Sequence, residues 1–233
     1  MRSNLPSQAV HERRLSASHR MQARHRRLRA AMGGAAMLGA ALCASAYTVN
    51  LNPANPVTVY LQVGAGSFTN DYIYGGQPQR NATINTVSAA VPPNAVGNGS
   101  AQPMTTNSAA AQSYWDGYTY CSVPGQLYIG GFYRTTGYVT GAAQVTAVVP
   151  AALTDAAGDV LPFSNIHWTS SGNGDNGAEP FPAGAFVNGG VQNVGAMSSN
   201  TWNESCWTFS YMNNTVPPAG TFTGVVVYTL STP

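Results

Sequence analysis

Val57, Val59, Leu61 and Val63 alternate with Thr58, Tyr60 and Gln62, the period of two expected of a strand with one face on a core. Similar signals recur along the chain. Residues 127–133 predict a strand after a Pro124-Gly125 turn, and residues 138–149 predict one or two more, ending at Pro150. Residues 161–169 carry Phe163, Ile166 and Trp168. Residues 186–194 form a weaker candidate with a Gly189-Gly190 turn, and residues 202–212 carry Cys206, Phe209 and Tyr211. Short pieces near residues 72–74 and 82–87 complete the set, and residues 151–160 read as a turn with room for a single helical turn. No stretch shows a convincing amphipathic helical period. About eight short strands separated by turn signals predict an all-β, immunoglobulin-like antiparallel sandwich with long irregular loops.

The clearest pattern is the last, residues 220–233. Phe222, Val226, Tyr228 and Leu230 fall on one parity; Thr221, Thr223, Val225, Val227 and Thr229 fall on the other. Nearly every residue is β-branched or aromatic, so this segment predicts a strand with two differently loaded faces. A strand this apolar is expected inside a sheet, because an open edge of this kind invites pairing with other chains.

Between these signals, residues 89–113 are low in complexity, rich in Ala, Pro, Asn, Gly and Ser, and predict a long mobile loop inside one domain spanning 47–233. Residues 170–180 form a second, Gly- and Asn-rich loop. Within it Asn173, Asp175, Asn176 and Glu179 offer oxygen ligands, but the spacing fits no calcium motif and a plain loop is expected.

Charge changes the picture. There is no lysine, and eight of the ten basic residues are arginines before residue 30. The apolar run that follows ends in Ala44-Ser45-Ala46. A basic leader, a short apolar run and an A-x-A site predict a signal peptide over 1–46, too short and too rich in small residues for a stable membrane span. The remaining 47–233 holds two arginines against seven acids, net −5, which removes the basic footprint needed for nucleic acid. Export predicts a periplasmic, extracellular or cell-surface location. Cys121 and Cys206 are the two cysteines left after processing, and an even count in an exported chain predicts one disulfide. Closing a loop of that length is worth about 4 kcal/mol by chain entropy.

Candidate chemistry is sparse. His167 is the one histidine of 47–233, and neither GxSxG nor HExxH occurs. The few titratable groups argue against a hydrolase, and no catalytic residue, metal or cofactor is expected. Four Asn-x-Ser/Thr sequences start at Asn81, Asn98, Asn203 and Asn213, and matter only in a eukaryotic host. Tyr114, Tyr118 and Trp202 are candidates for stacking on sugar rings, whereas Trp115 and Trp207 are expected in the core. A complete carbohydrate-binding or adhesin module using these aromatics, with glycans as ligands, is the alternative function.

The carboxy-terminal stretch resembles the terminal strand of bacterial fimbrial subunits assembled by the chaperone–usher route, including the spore-coat-U-like group. Gly220 stands fourteen residues from the end, followed by the alternating Phe222, Val226, Tyr228 and Leu230. Thr232 stands where that family usually has a penultimate tyrosine. The resemblance implies an incomplete sandwich whose missing strand comes from the amino-terminal extension of the next subunit, paired along the last strand. It implies other subunits or a periplasmic chaperone as partners, and Gly220, Phe222, Val226, Tyr228 and Leu230 as strand-pairing residues. The arm Tyr47, Val49, Leu51 has a donor's parity but is interrupted at Pro53.

Overall fold

Residues 127–133 are sealed on both sides of the chain, so this strand forms the middle of a layered fold. The computed structural model describes residues 59–66, 68–69, 77–78, 83–114, 117–137, 141–172 and 179–233. The leader, the arm at 47–51, the piece at 72–74, Asn81, Trp115 and Asn173, Asp175 and Asn176 lie outside the described residues. Seven principal strands carry the fold: β1 (Val59–Val63), β2 (Leu127–Tyr133), β3 (Ala143–Val149), β4 (Ile166–Ser171), β5 (Gly190–Met197), β6 (Asn203–Tyr211) and β7 (Val227–Ser231). Among the described residues there is no α-helix, only a 3₁₀ turn at Phe163–Asn165, and no helix long and apolar enough to cross a membrane.

One sheet has the order β1-β2-β6-β4, extended by the short strand Gly184–Ala185 beyond β4. Gln102–Pro103 pairs with the far end of β6. The other sheet has three strands in the order β5-β3-β7. All these pairings are antiparallel. The inward parity of each sheet meets in one core. Leu127, Ile129, Tyr133, Ile166, Trp168, Trp207 and Phe209 come from the first; Ala143, Val145, Ala147, Val149, Val194 and Met197 come from the second. The protein is thus the all-β sandwich with long irregular loops that the alternating pattern predicts.

The back of the first sheet is also covered, which alternation alone does not show. On β1 it is Tyr60 and Gln62 that are most buried, while Val59 is exposed and Leu61 and Val63 are half-buried against the core. Tyr60, Phe132 and Trp202 form a three-ring cluster on this outer face, with centroids 5.6–6.0 Å apart. The Arg134 guanidinium lies 4.1 Å over the Phe132 ring. Gly131 permits the tight pairing of β1 on β2, because a Cβ there would stand 2.1 Å from the Tyr60 carbonyl oxygen. Next to the rings, the Cys121–Cys206 disulfide (Cα–Cα 5.5 Å) ties the loop ending at residue 121 to β6, beneath Tyr128, Tyr114 and Tyr120.

Residues 89–113, expected as a mobile excursion, are instead built into the fold. Thr105–Thr106 pairs with Val87–Ser88, and Met104 N–H donates to the Phe209 carbonyl at 3.0 Å. The clamp is Asn213, buried just past β6 with φ +49°. Its side-chain oxygen accepts from Gly97 N–H at 2.9 Å, and its amide donates to the Ala95 carbonyl at 2.7 Å and to Asn98 Oδ1 at 3.0 Å. Its own carbonyl accepts from Gly99 N–H at 3.1 Å. Polar side-chain-to-backbone bonds replace the apolar periodicity that the segment lacks, so composition alone misreads it. Burial of Asn213 and Asn203 also removes both as glycan acceptors. Asn213→Ala deletes three bonds at a left-handed position, for an expected loss of about 3 kcal/mol at roughly 1 kcal/mol each. Urea unfolding checks the size, and new protease cuts within 92–99 check the place.

Candidate functional site

The two outer edges of the three-stranded sheet are treated differently by the chain. At the β5 edge a bulge lies between Asn193 and Gly195. Ala196 N–H donates to the Pro180 carbonyl at 3.0 Å. The Gln192 amide donates to the Ala185 carbonyl at 2.7 Å, and its oxygen accepts from Val187 N–H at 3.1 Å. Phe181, between Pro180 and Pro182, fills the gap between the sheets on this side. The Trp207 indole donates to the Phe181 carbonyl at 3.0 Å, and the Trp168 indole donates to that of Pro182 at 2.8 Å. Phe181 is fully buried, and the absence of a side chain at Gly195 makes room for it: a Cβ there would stand 2.5 Å from Cδ1 of Phe181. Bulges and strapped backbone groups are how edges are withheld from other chains.

At the other edge lies β7. It pairs with β3 from Val227↔Val148 to Ser231↔Gln144. The pairing resumes at Thr223, which exchanges both backbone bonds with Thr154 at 2.8 and 2.9 Å. The pairing is thus in two pieces, Val227–Ser231 on β3 and the bridge from Thr223 to Thr154, separated where the neighbouring chain passes Pro150–Ala151. Among the described residues nothing pairs with the opposite side of β7. The expected interior position is thus corrected: among the described residues this strand is an edge, buried on one face only.

That face matches the predicted parity. Phe222, Val226, Tyr228 and Leu230 are half-buried and pack on the main core, with Tyr228 6.0 Å from Trp207 between ring centroids. Thr221, Thr223, Val225, Val227 and Thr229 are exposed. Gly220 is brought against the Asp155 carboxylate, where a Cβ would stand 2.7 Å from Oδ2; the other oxygen of Asp155 accepts from Ala157 and Asp159 N–H in its own turn. Residues 220–233 carry no charge, and the one proline is the last residue, so the usual guards against edge pairing are missing here.

The other candidates separate. Tyr114 and Tyr118 share one loop, where residues 109–114 and Gly117 line an open hollow of about 420 Å³. Tyr114 is half-buried with its hydroxyl donating to the Gly66 carbonyl, and Tyr118 is exposed. Trp202 is 4% exposed and enclosed by Tyr60 and Phe132, so it offers no face to a sugar. His167 is half-buried on the outer side of β4, opposite Ser210 and Ala185. Glu179 accepts a bond from the Ser205 hydroxyl at 3.0 Å. Among the described residues no three His, Cys, Asp or Glu side chains gather to hold a metal ion.

A buried acid escaped the sequence reading. Glu204 is 2% exposed, and one carboxylate oxygen accepts from both the Trp202 indole (2.8 Å) and the Tyr128 hydroxyl (2.9 Å). Burial first, and the Glu204 charge second, push the Tyr128 hydroxyl well above its ordinary value; burial alone raises Tyr228. The available signal was parity, since Trp202, Glu204 and Cys206 share one face of a strand otherwise poor in charge. No protein-family model, curated protein or solved structure matches the chain.

Proposed function

We propose that this is an exported, non-enzymatic structural subunit of the bacterial cell surface, fimbrial-subunit-like, that acts by pairing its carboxy-terminal strand with a strand from another protein. The observation that carries this reading is the contrast between the two edges of the three-stranded sheet. One is bulged, strapped and plugged; the other, along 223–231, is uncharged and open among the described residues. A strand added there gains main-chain hydrogen bonds for affinity and side-chain register for specificity. The Cys121–Cys206 bond suits an oxidising compartment, and the leader supports export. A preceding or following subunit, or a periplasmic chaperone, is the partner expected.

Amide hydrogen exchange tests this directly. With a periplasmic chaperone, or with a synthetic peptide of residues 47–57 in excess, amides of 223–231 that exchange quickly alone are expected to become protected. Unchanged exchange along β7 with every partner offered overturns the reading.

A further inference from the structure

The two flanks of the sandwich differ in how far their core side chains are sealed. On the flank of β4 and β5, Phe181 is fully buried and shuts the gap. On the opposite flank β1 of the first sheet lies beside β7 of the second. There Leu61 and Val63, and across from them Val226, Tyr228 and Leu230, pack on the core but stay half-buried. Among the described residues no strand extends either sheet on this flank. The chain enters β1 at the end of the sandwich where β7 finishes. Val59 opposes Tyr133, the Tyr133 hydroxyl donates to the Gly141 carbonyl at 2.8 Å, and a Cβ on Gly141 would lie 3.6 Å from Pro233.

We infer that residues 47–51 of the same chain cover this flank in cis, as a short strand beside β7 with Tyr47, Val49 and Leu51 over the half-buried row. This rests on the reading of β7 as the pairing strand. A strand laid beside β7 that leaves for β1 at the end where β7 finishes runs parallel to β7. Residues 52–58 make the connection and span up to about 23 Å, more than the roughly 10 Å between packed sheets. Pro53 and Pro56, which cannot donate to a ladder, fall within this connection. Parity sets the register. Val49 beside Tyr228 and Leu51 beside Leu230 face the core, which leaves Thr48 beside Val227 and Asn50 beside Thr229 on the exposed side. A tether this short holds the segment at an effective concentration of about millimolar, so at micromolar protein it outcompetes the same segment of another molecule. So short a parallel strand makes few bonds, and a longer donor or a chaperone strand displaces it. The cover thus keeps the edge from casual pairing until a partner arrives.

The test pairs cysteines in the exported chain. Thr48→Cys with Val227→Cys, and Asn50→Cys with Thr229→Cys, are expected to form a disulfide within one chain on mild oxidation, in a yield independent of protein concentration. Adjacent strands lie about 4.8 Å apart, within disulfide reach. Asn50→Cys with Val191→Cys, which is 69% exposed but on the far strand β5, is expected not to link. Val49→Asp sets a charge against the half-buried row and is expected to speed hydrogen exchange of the 227–231 amides. Links that form only between chains, and rise with concentration, overturn the cover in cis but keep the strand-pairing function, with the segment as a donor to another subunit. No link and unchanged exchange in Val49→Asp, with β7 still protected by a chaperone, overturn the inference alone. No link and no protection by any partner overturn both.

Discussion

Trp207→Ala is expected to remove about 5 kcal/mol of stability, enough to leave little folded protein after export: roughly 3–5 from the cavity of a buried tryptophan and about 1 or more from an orphaned carbonyl. Trp207 is fully buried on β6, at the middle of the first sheet. Its ring lies 5.1 Å from Trp168, 5.9 Å from Phe209, 6.4 Å from Phe181 and 6.0 Å from Tyr228. It therefore touches the plug that closes one side of the sandwich and the strand that, among the described residues, forms the edge on the other. Losing it leaves the Phe181 carbonyl without its indole donor and takes the floor from beneath Tyr228. Trp207→Phe separates the two effects. It keeps most of the ring volume and drops only the N–H, so about 1–2 kcal/mol is expected to go. Urea unfolding of both variants gives the sizes. Equal stability of Trp207→Ala and wild type contradicts the placement of this residue.

Much of this core could be read from spacing. The strand at 127–133 falls where its pattern places it, and the strand at 202–212 differs from β6 by one residue at each end. The alternation of 220–231 reappears as alternating exposure, because a pleat with one face on a core has no other way to distribute Phe222, Tyr228 and Leu230. The disulfide followed from cysteine count and export. Other features were out of reach for identifiable reasons. Whether β7 is central or an edge depends on which strands flank it, and apolar content is the same in both cases. Tyr60 and Gln62 look like an exposed parity until a second layer covers the back of β1 and β2. The plug at 180–182 is a proline-rich segment with no period; it is held by two indole N–H groups that come from strands elsewhere in the chain. The order of 89–113 is not legible in its own composition because it comes from the Asn213 amide, more than a hundred residues from the backbone it binds.

Glu204→Leu is expected to cost about 3–5 kcal/mol, the scale of breaking a buried charged hydrogen-bond set, because it strands two buried donors at once. The Trp202 indole and the Tyr128 hydroxyl both end on the same carboxylate oxygen, and both residues are buried: Trp202 is 4% and Tyr128 0% exposed. Glu204→Gln keeps an oxygen for both donors and loses only the charge, so about 1–2 kcal/mol is expected. Pairing Glu204→Leu with Tyr128→Phe removes one stranded donor, and the double variant should lose less than the sum of the singles. The same site predicts a high-pH signature. The Tyr128 hydroxyl is raised in the folded protein, by burial first and Glu204 second, as is Tyr228 by burial. A raised hydroxyl keeps its proton in the folded state while the unfolded chain gives it up near pH 10. The contribution is thus whole below that pH and declines above it, by about 1.4 kcal/mol per pH unit per group until the folded state also ionises. Tyr128→Phe should make the decline above pH 10 shallower. Glu204→Gln should leave the initial slope nearly as it is, because burial, the larger cause, remains. Chemical unfolding followed at a series of pH values from 8 to about 11.5 reads both slopes. A Tyr128→Phe protein that loses stability as steeply as wild type would show that this hydroxyl is not held protonated by the fold.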